Sequence, residues 1–200
     1  IISICNGSIS KNILFKILDM DTNIINDKLE DLTLMRLLDE GIEDWGYNYS
    51  INNIQLKKLI FYQIPEEKRA KLHRKIAQLL EDAYIGNNKL IFDELIYHLI
   101  YSNQTNKALD FMVKEAIEDT NILNIKVKNL WEEAYEISRD IEYGSKFKIL
   151  ENLGKIYSLE GDNDKAIKIY EELFNEGEVK NKIEYTIRAR IGVAEIYLKR

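Results

Sequence analysis

A chain of 200 residues, 46% hydrophobic and 31% charged, has the length and apolar content to bury a core as one domain or two small ones. Its net charge of -6 argues against generic binding to nucleic acid or to an anionic membrane, and no run approaches the roughly 20 apolar residues of a membrane span. The single cysteine, Cys5, has no partner for an internal disulfide, which suits a reducing cytoplasm.

One proline and nine glycines over this length predict long helices joined by short turns. The chain opens on Ile1 without a signal-peptide layout and closes inside a helical pattern at Arg200, so both ends read as cut from a longer chain. Ile9 to Leu18 is helix-like, with Ile13, Leu14, Ile17 and Leu18 on one side. Asn23 to Leu38 is a second helical run in which Ile25, Leu29, Leu32, Met35 and Leu38 recur at threes and fours, and Gly41 reads as its C-cap. Trp45, Tyr47 and Tyr49 then alternate with polar residues around Gly46, which predicts a short hairpin over Ile42 to Ile51.

From Asn53 the pattern is nearly continuous helix, broken at Pro65. A helix with Leu72, Ile76, Ala77, Leu79 and Leu80 on its apolar stripe follows, then a pair over Phe92 to Tyr101 and Thr105 to Asp119, then Ile122 to Ser138. In Leu150-Glu-Asn-Leu153-Gly154-Lys-Ile-Tyr157 a large residue, leucine, glycine and tyrosine stand at the W-x2-L-G-x2-Y spacing of a tetratricopeptide repeat. Ala166-Ile-Lys-Ile-Tyr170 supplies the A-x3-F half with Tyr for Phe. The spacing has a packing cause. Gly154 and Ala166 let two helices approach closely, and Tyr157 and Tyr170 fill the wedge above that contact. Gly161 and Asp162 provide the turn and the N-cap between them. Lys107-Ala108 echoes Lys165-Ala166, and Val193-Ala194-Glu-Ile-Tyr197 repeats Leu153-Gly154-Lys-Ile-Tyr157 forty residues on. Forty exceeds the usual 34, so the helices or the turn near Gly177 must be longer than standard.

The order of marks over residues 47 to 116 carries a wider resemblance. Tyr49 and Ile51 at the hairpin's end lead into Asn53 to Pro65. Arg69-x2-Leu72-His73-x2-Ile76-Ala77-x2-Leu80-Glu81 comes next, then Glu94-Leu-Ile-Tyr-His98, then Asn106-Lys107-Ala108. This resembles the winged-helix-to-repeat junction of bacterial signal-transducing ATPases of the STAND class, which include transcription activators and multidomain kinases. The resemblance implies a mainly α fold: a winged-helix-like domain with a small β-hairpin over 1–65, then an α-solenoid of tetratricopeptide-like hairpins over 66–200. In that family an ATPase module precedes the winged helix and the repeats act as sensor or partner-binding arm. Here no G-x4-G-K-[ST] phosphate loop exists to cradle a nucleotide.

Site chemistry is sparse in the sequence. His73 lies on the apolar stripe of its helix and His98 amid Leu95, Leu99 and Ile100, which reads as packing or hydrogen bonding. A metal reading would need partners at ligand spacing, and Cys5 is remote in sequence, so neither a metal nor a cofactor is expected. Adjacent acids such as Glu132-Glu133 and Glu171-Glu172 read as solvated faces. The helix that would read DNA, Asn23 to Leu38, sets Asp27, Glu30 and Asp31 against Lys28 and Arg36, the wrong sign for phosphate contact. The basic cluster Lys68, Arg69, Lys71, Arg74 and Lys75 reads as a solvated face, or as a contact for an acidic surface.

The sequence therefore points to a non-catalytic regulatory fragment of a cytoplasmic bacterial signalling protein. Its repeats would bind a protein or peptide, or other domains of the same chain, with no nucleic acid and no membrane. A DNA-binding transcriptional regulator is the alternative. The expected partner stripe is Lys148, Glu151, Lys155 and Ser158, the polar flank of the helix that presents Leu150, Leu153, Gly154 and Tyr157 inward.

Overall fold

Side-chain caps fix where many of the helices begin. In the computed structural model, which describes residues 1–43, 46–86 and 89–198 (Glu43 and Lys89 by backbone alone), Ser10 accepts from Ile13 N–H ahead of α1 (Lys11–Leu18). Asp21 accepts from Asn23 N–H ahead of α2 (Thr22–Leu34), and Asn53 from Leu56 N–H ahead of α3 (Ile54–Gln63). Pro65 precedes α4 (Glu66–Ile85), where its missing N–H leaves no hydrogen bond unmade. After α5 (Phe92–Tyr101) and α6 (Thr105–Glu118), Asn124 caps α7 (Ile125–Ser138). The last three helices are α8 (Lys146–Glu160), α9 (Asn163–Val179) and α10 (Ile183–Leu198). The protein is thus mainly helical with one small sheet.

That sheet has the antiparallel order β1-β3-β2, from β1 (Ile9–Ser10), β2 (Asp39–Glu43) and β3 (Gly46–Ser50). Ile9 pairs with Tyr49, and Glu40 pairs with Tyr49 from the other side. The Tyr49 hydroxyl donates to Glu40 Oε1 at 2.7 Å. The hairpin expected around Gly46 is present, but the reading of Trp45 at its tip lies outside the described residues. The strand β1 carried no sequence signal, because two residues are too few for an alternating pattern.

One sequence expectation is overturned at the end of α2. Gly41 is not its C-cap. The helix stops at Leu34, Arg36 adopts the left-handed conformation with φ 57, and Gly41 pairs with Asn48 inside the sheet. Leu38 and Met35, read as continuing the helical stripe, separate: Leu38 is buried ahead of β2 while Met35 is exposed.

The chain divides into two compact units, residues 1–108 and 109–200, with the division inside α6. In the first unit α4 lies against α5 and α1, and Ile76, Ala77, Leu80, Leu95 and Leu99 are buried. Lys75 Nζ donates to the Ile17 carbonyl at 2.7 Å, closing the C-terminal end of α1.

The second unit is built on close helix approach. Leu150, Leu153, Gly154 and Tyr157 of α8 and Ala166 and Tyr170 of α9 are all buried, as the repeat spacing predicts. Gly161 takes φ 82 to end α8, and Asp162 caps α9 by accepting from Lys165 N–H. A Cβ on Gly154 would stand 2.7 Å from the Tyr170 ring, and one on Gly192 of α10 only 2.3 Å from it. Tyr170 is therefore clasped between two glycines on two different helices. The forty-residue register is not kept: Gly192, and not Ala194, meets the Tyr170 ring as Gly154 does, and Ala194 and Tyr197 are exposed. Between these helices α9 runs on to Val179, with Gly177 buried inside it against Thr186.

Gly192→Ala should consequently destabilise the protein by about 1–3 kcal/mol, the usual range for overpacking, despite the roughly 1 kcal/mol gained from helix propensity. Urea denaturation should show the loss, and adding Tyr170→Leu should recover part of it, a non-additivity that reports direct contact.

Candidate functional site

The most chemically dense place in the first unit forms where a turn at the start of the chain meets two helices. A short 3-10 turn over Ile2–Ile4 ends at Cys5, whose N–H donates to the Ile2 carbonyl. On α5, Glu94 and His98 stand four residues apart and so share one face. From α4, His73 faces them. Cys5, His73 and His98 are all buried, His98 completely.

Hydrogen bonds lock this group. Glu94 accepts from the Asn6 and Gly7 N–H groups at 2.9 and 3.4 Å. His98 Nε2 lies 3.1 Å from Glu94 Oε1, and the Nδ1 atoms of His98 and His73 are 2.8 Å apart, so one donates and the other accepts. Tyr101 stacks on the His73 ring at a centroid distance of 5.3 Å. The donor atoms of Cys5, Glu94 and His98 lie within 4.8 Å of one another. They border a cavity of about 410 Å3 whose remaining wall is mostly apolar, including Ile9, Ile13, Ile76, Leu80 and Ile91.

Burial governs the protonation of this group. Burial and the Glu94 charge push the Cys5 thiol up to about 12, so it is neutral and no nucleophile at neutral pH. Burial, with His98 next, lowers His73 to about 4, against a smaller upward pull from Glu94. A ring that is neutral in the fold and nearer half-charged when unfolded makes stability depend on pH.

Comparisons of the chain with protein-family models, with curated proteins and with solved structures find no match. The functional reading accordingly rests on the chain's own residues.

The residues singled out in the sequence sort into two groups. In the basic cluster, Arg69 donates to the Phe61 carbonyl and lies over the Phe61 ring at 4.3 Å. Arg74 donates to the Ser102 carbonyl, Lys75 to that of Ile17, and Lys71 pairs with Glu67. Arg69, Arg74 and Lys75 thus reach carbonyls near helix ends, while Lys68 and Lys71 stay on the exposed face of α4 with Arg74 and Lys75. On α8, Lys148 and Lys155 are exposed and Ser158 is half-buried. Glu151 is largely covered and accepts from Lys155 at 2.7 Å and from Arg188 of α10 at 2.9 Å. Burial pulls its carboxyl upward, but Lys155 and Arg188 outweigh that and hold it below the usual carboxylate range. Beside Lys148 a depression of about 300 Å3 is lined by Val113, Lys114, Ile117 and Tyr143.

Sequence reasoning set Cys5 aside as remote and met Glu94 only beside His98, without joining the two. The i, i+4 pair Glu94–His98 was visible, but 88 residues separate Asn6 from Glu94, and no local pattern reports such a contact.

The pH dependence has a definite sign. The folded pKa of His73, about 4, lies below its ordinary 6.5, so the unfolded chain binds the extra proton first. Its contribution is fully present above 6.5 and is lost progressively as pH falls towards 4. Urea unfolding followed at pH 7.5 and 5 should show this fall, and it should be shallower in His73→Gln.

Proposed function

We propose that the chain is a non-catalytic regulatory and protein-interaction module of a bacterial signalling protein. Its helical hairpins act as tetratricopeptide-like repeats that hold a partner protein or peptide, and a winged-helix-like N-terminal part relays that occupancy, as the resemblance to STAND-class ATPases implies. The carrying observation is the Tyr170 ring clasped between Gly154 and Gly192. One side chain thus serves two successive first helices of a repeat, α8 and α10. Those two helices are also tied directly by the Glu151–Arg188 pair and by Phe147 stacked on Tyr185 at 4.3 Å.

This arrangement leaves Lys148 and Lys155 on the exposed flank of α8, with Lys148 bordering the depression beside Lys114. Repeat arrays characteristically use such a surface for recognition. Lys114 and Lys148 at a partly apolar hollow, with Lys155 further along the same flank, suit an acidic peptide with an apolar anchor. Glu151 has a different part in this reading, because its carboxylate joins α8 to α10.

Two experiments test the proposal. A photo-crosslinking residue at position 155 identifies the partner, and Lys148→Ala/Lys155→Ala should weaken that partner's binding at least about tenfold while Tm moves little, as for surface substitutions generally. Equal binding by wild type and double variant refutes the groove assignment. Purified chain should also release no phosphate from ATP above a heat-denatured control, since it lacks a phosphate loop. Turnover that follows the protein through purification contradicts the non-catalytic reading.

A further inference from the structure

We propose that Cys5, Glu94 and His98 bind one divalent transition-metal ion, Zn2+ foremost, with His73 as the positioning residue behind His98. The donor set is one sulfur, one carboxylate oxygen and one imidazole nitrogen, all within 4.8 Å. Three protein ligands with a fourth position open to water is an arrangement that Zn2+ commonly takes. A sulfur donor disfavours Mg2+ and Ca2+, which prefer all-oxygen shells.

The geometry is nearly assembled. Zinc–ligand bonds of about 2.0–2.3 Å require ligand atoms roughly 3.2–3.7 Å apart. His98 Nε2 and Glu94 Oε1, 3.1 Å apart, already approach that separation. Cys5 has to close by about 1 Å, which a change in one side-chain torsion supplies. Glu94 cannot swing away easily, because Asn6 and Gly7 N–H groups hold its two oxygens. The adjoining cavity of about 410 Å3 gives the ion a route in and room for a water ligand.

Charge and protons balance as well. A thiolate and a carboxylate neutralise a divalent ion, so the loaded site carries no net charge where burial makes one costly. On binding, the Cys5 thiol proton leaves to solvent and its sulfur bonds the ion. The ion replaces the His98 Nε2 proton facing Glu94. That proton is carried instead on His98 Nδ1, which donates to His73 Nδ1, and His73 holds its own proton on Nε2. One proton is released per ion. Donation of the second ring N–H to a neighbour is the usual way in which a ligating histidine is oriented.

The test uses the intact chain, with Zn2+ and Co2+ as probes. Calorimetric titration at neutral pH should give one Zn2+ per chain. The Co2+ form should show a near-ultraviolet sulfur-to-metal charge-transfer band. Cys5→Ser should remove that band and weaken Zn2+ binding at least about tenfold, and Glu94→Gln should weaken it comparably while keeping the band. His73→Phe should keep the band with affinity reduced by about tenfold or more, the range for loss of an outer-shell partner. Circular dichroism of each metal-free variant identifies any that has failed to fold, and Cys5→Ser, the smallest change, decides the matter. No saturable binding at micromolar Zn2+, or identical affinity and Co2+ spectrum in wild type and Cys5→Ser, overturns the site and leaves a buried hydrogen-bonded cluster. Unchanged affinity in His73→Phe removes His73 from it.

Discussion

A fully buried imidazole must place both of its ring nitrogens, and in the first unit His98 is that imidazole. An unpartnered polar atom at such a position costs about 1–3 kcal/mol, so the surroundings are organised to prevent it. Nε2 meets Glu94 and Nδ1 meets His73, which connects α5 to α4. Glu94 in turn accepts the Asn6 and Gly7 N–H groups, which fixes the turn at the start of the chain. Helix packing around Leu95, Leu99 and Ile76 supplies the apolar burial that makes this polar chain strongly selective for one arrangement.

The second unit relies on shape more than on polarity. Tyr170 is buried between Gly154 and Gly192, and only a residue without a side chain fits on either side. Around this contact, tyrosine hydroxyls find carboxylates: Tyr157 donates to Glu132 and Tyr143 to Asp110, each at 2.8 Å. The rings bury apolar area while their hydroxyls stay paired, so aromatic bulk is used without stranding a polar atom. Acids such as Glu132 are thereby given a structural role that adjacent charges in the sequence did not suggest.

Charged residues follow the same economy. Arg69, Arg74 and Lys75 end up on backbone carbonyls near helix ends, where positive charge is favourable. Part of what reads in the sequence as a basic surface thus also serves as local caps, with Lys68 and Lys71 remaining on the exposed face. Lys148 differs in kind, since it sits beside a hollow rather than over a helix terminus, and Lys155, two turns on, pairs with Glu151.

Sequence by itself determined the local elements, because each signal is complete within a few residues. Helical periodicity in α4, α5, α8 and α9 and the Gly161–Asp162 turn act over one or two turns of helix, and the Gly154–Tyr157–Ala166–Tyr170 spacing over one hairpin of adjacent helices. The end of α2 was misread because Gly41 has the composition of a cap, while a left-handed Arg36 supplied the turn. Only the tertiary structure decided that Gly192 meets the same ring as Gly154, and that Cys5 lies with Glu94 and His98. Those contacts join segments tens of residues apart, and the loop closure that brings them together leaves no periodic trace in the chain.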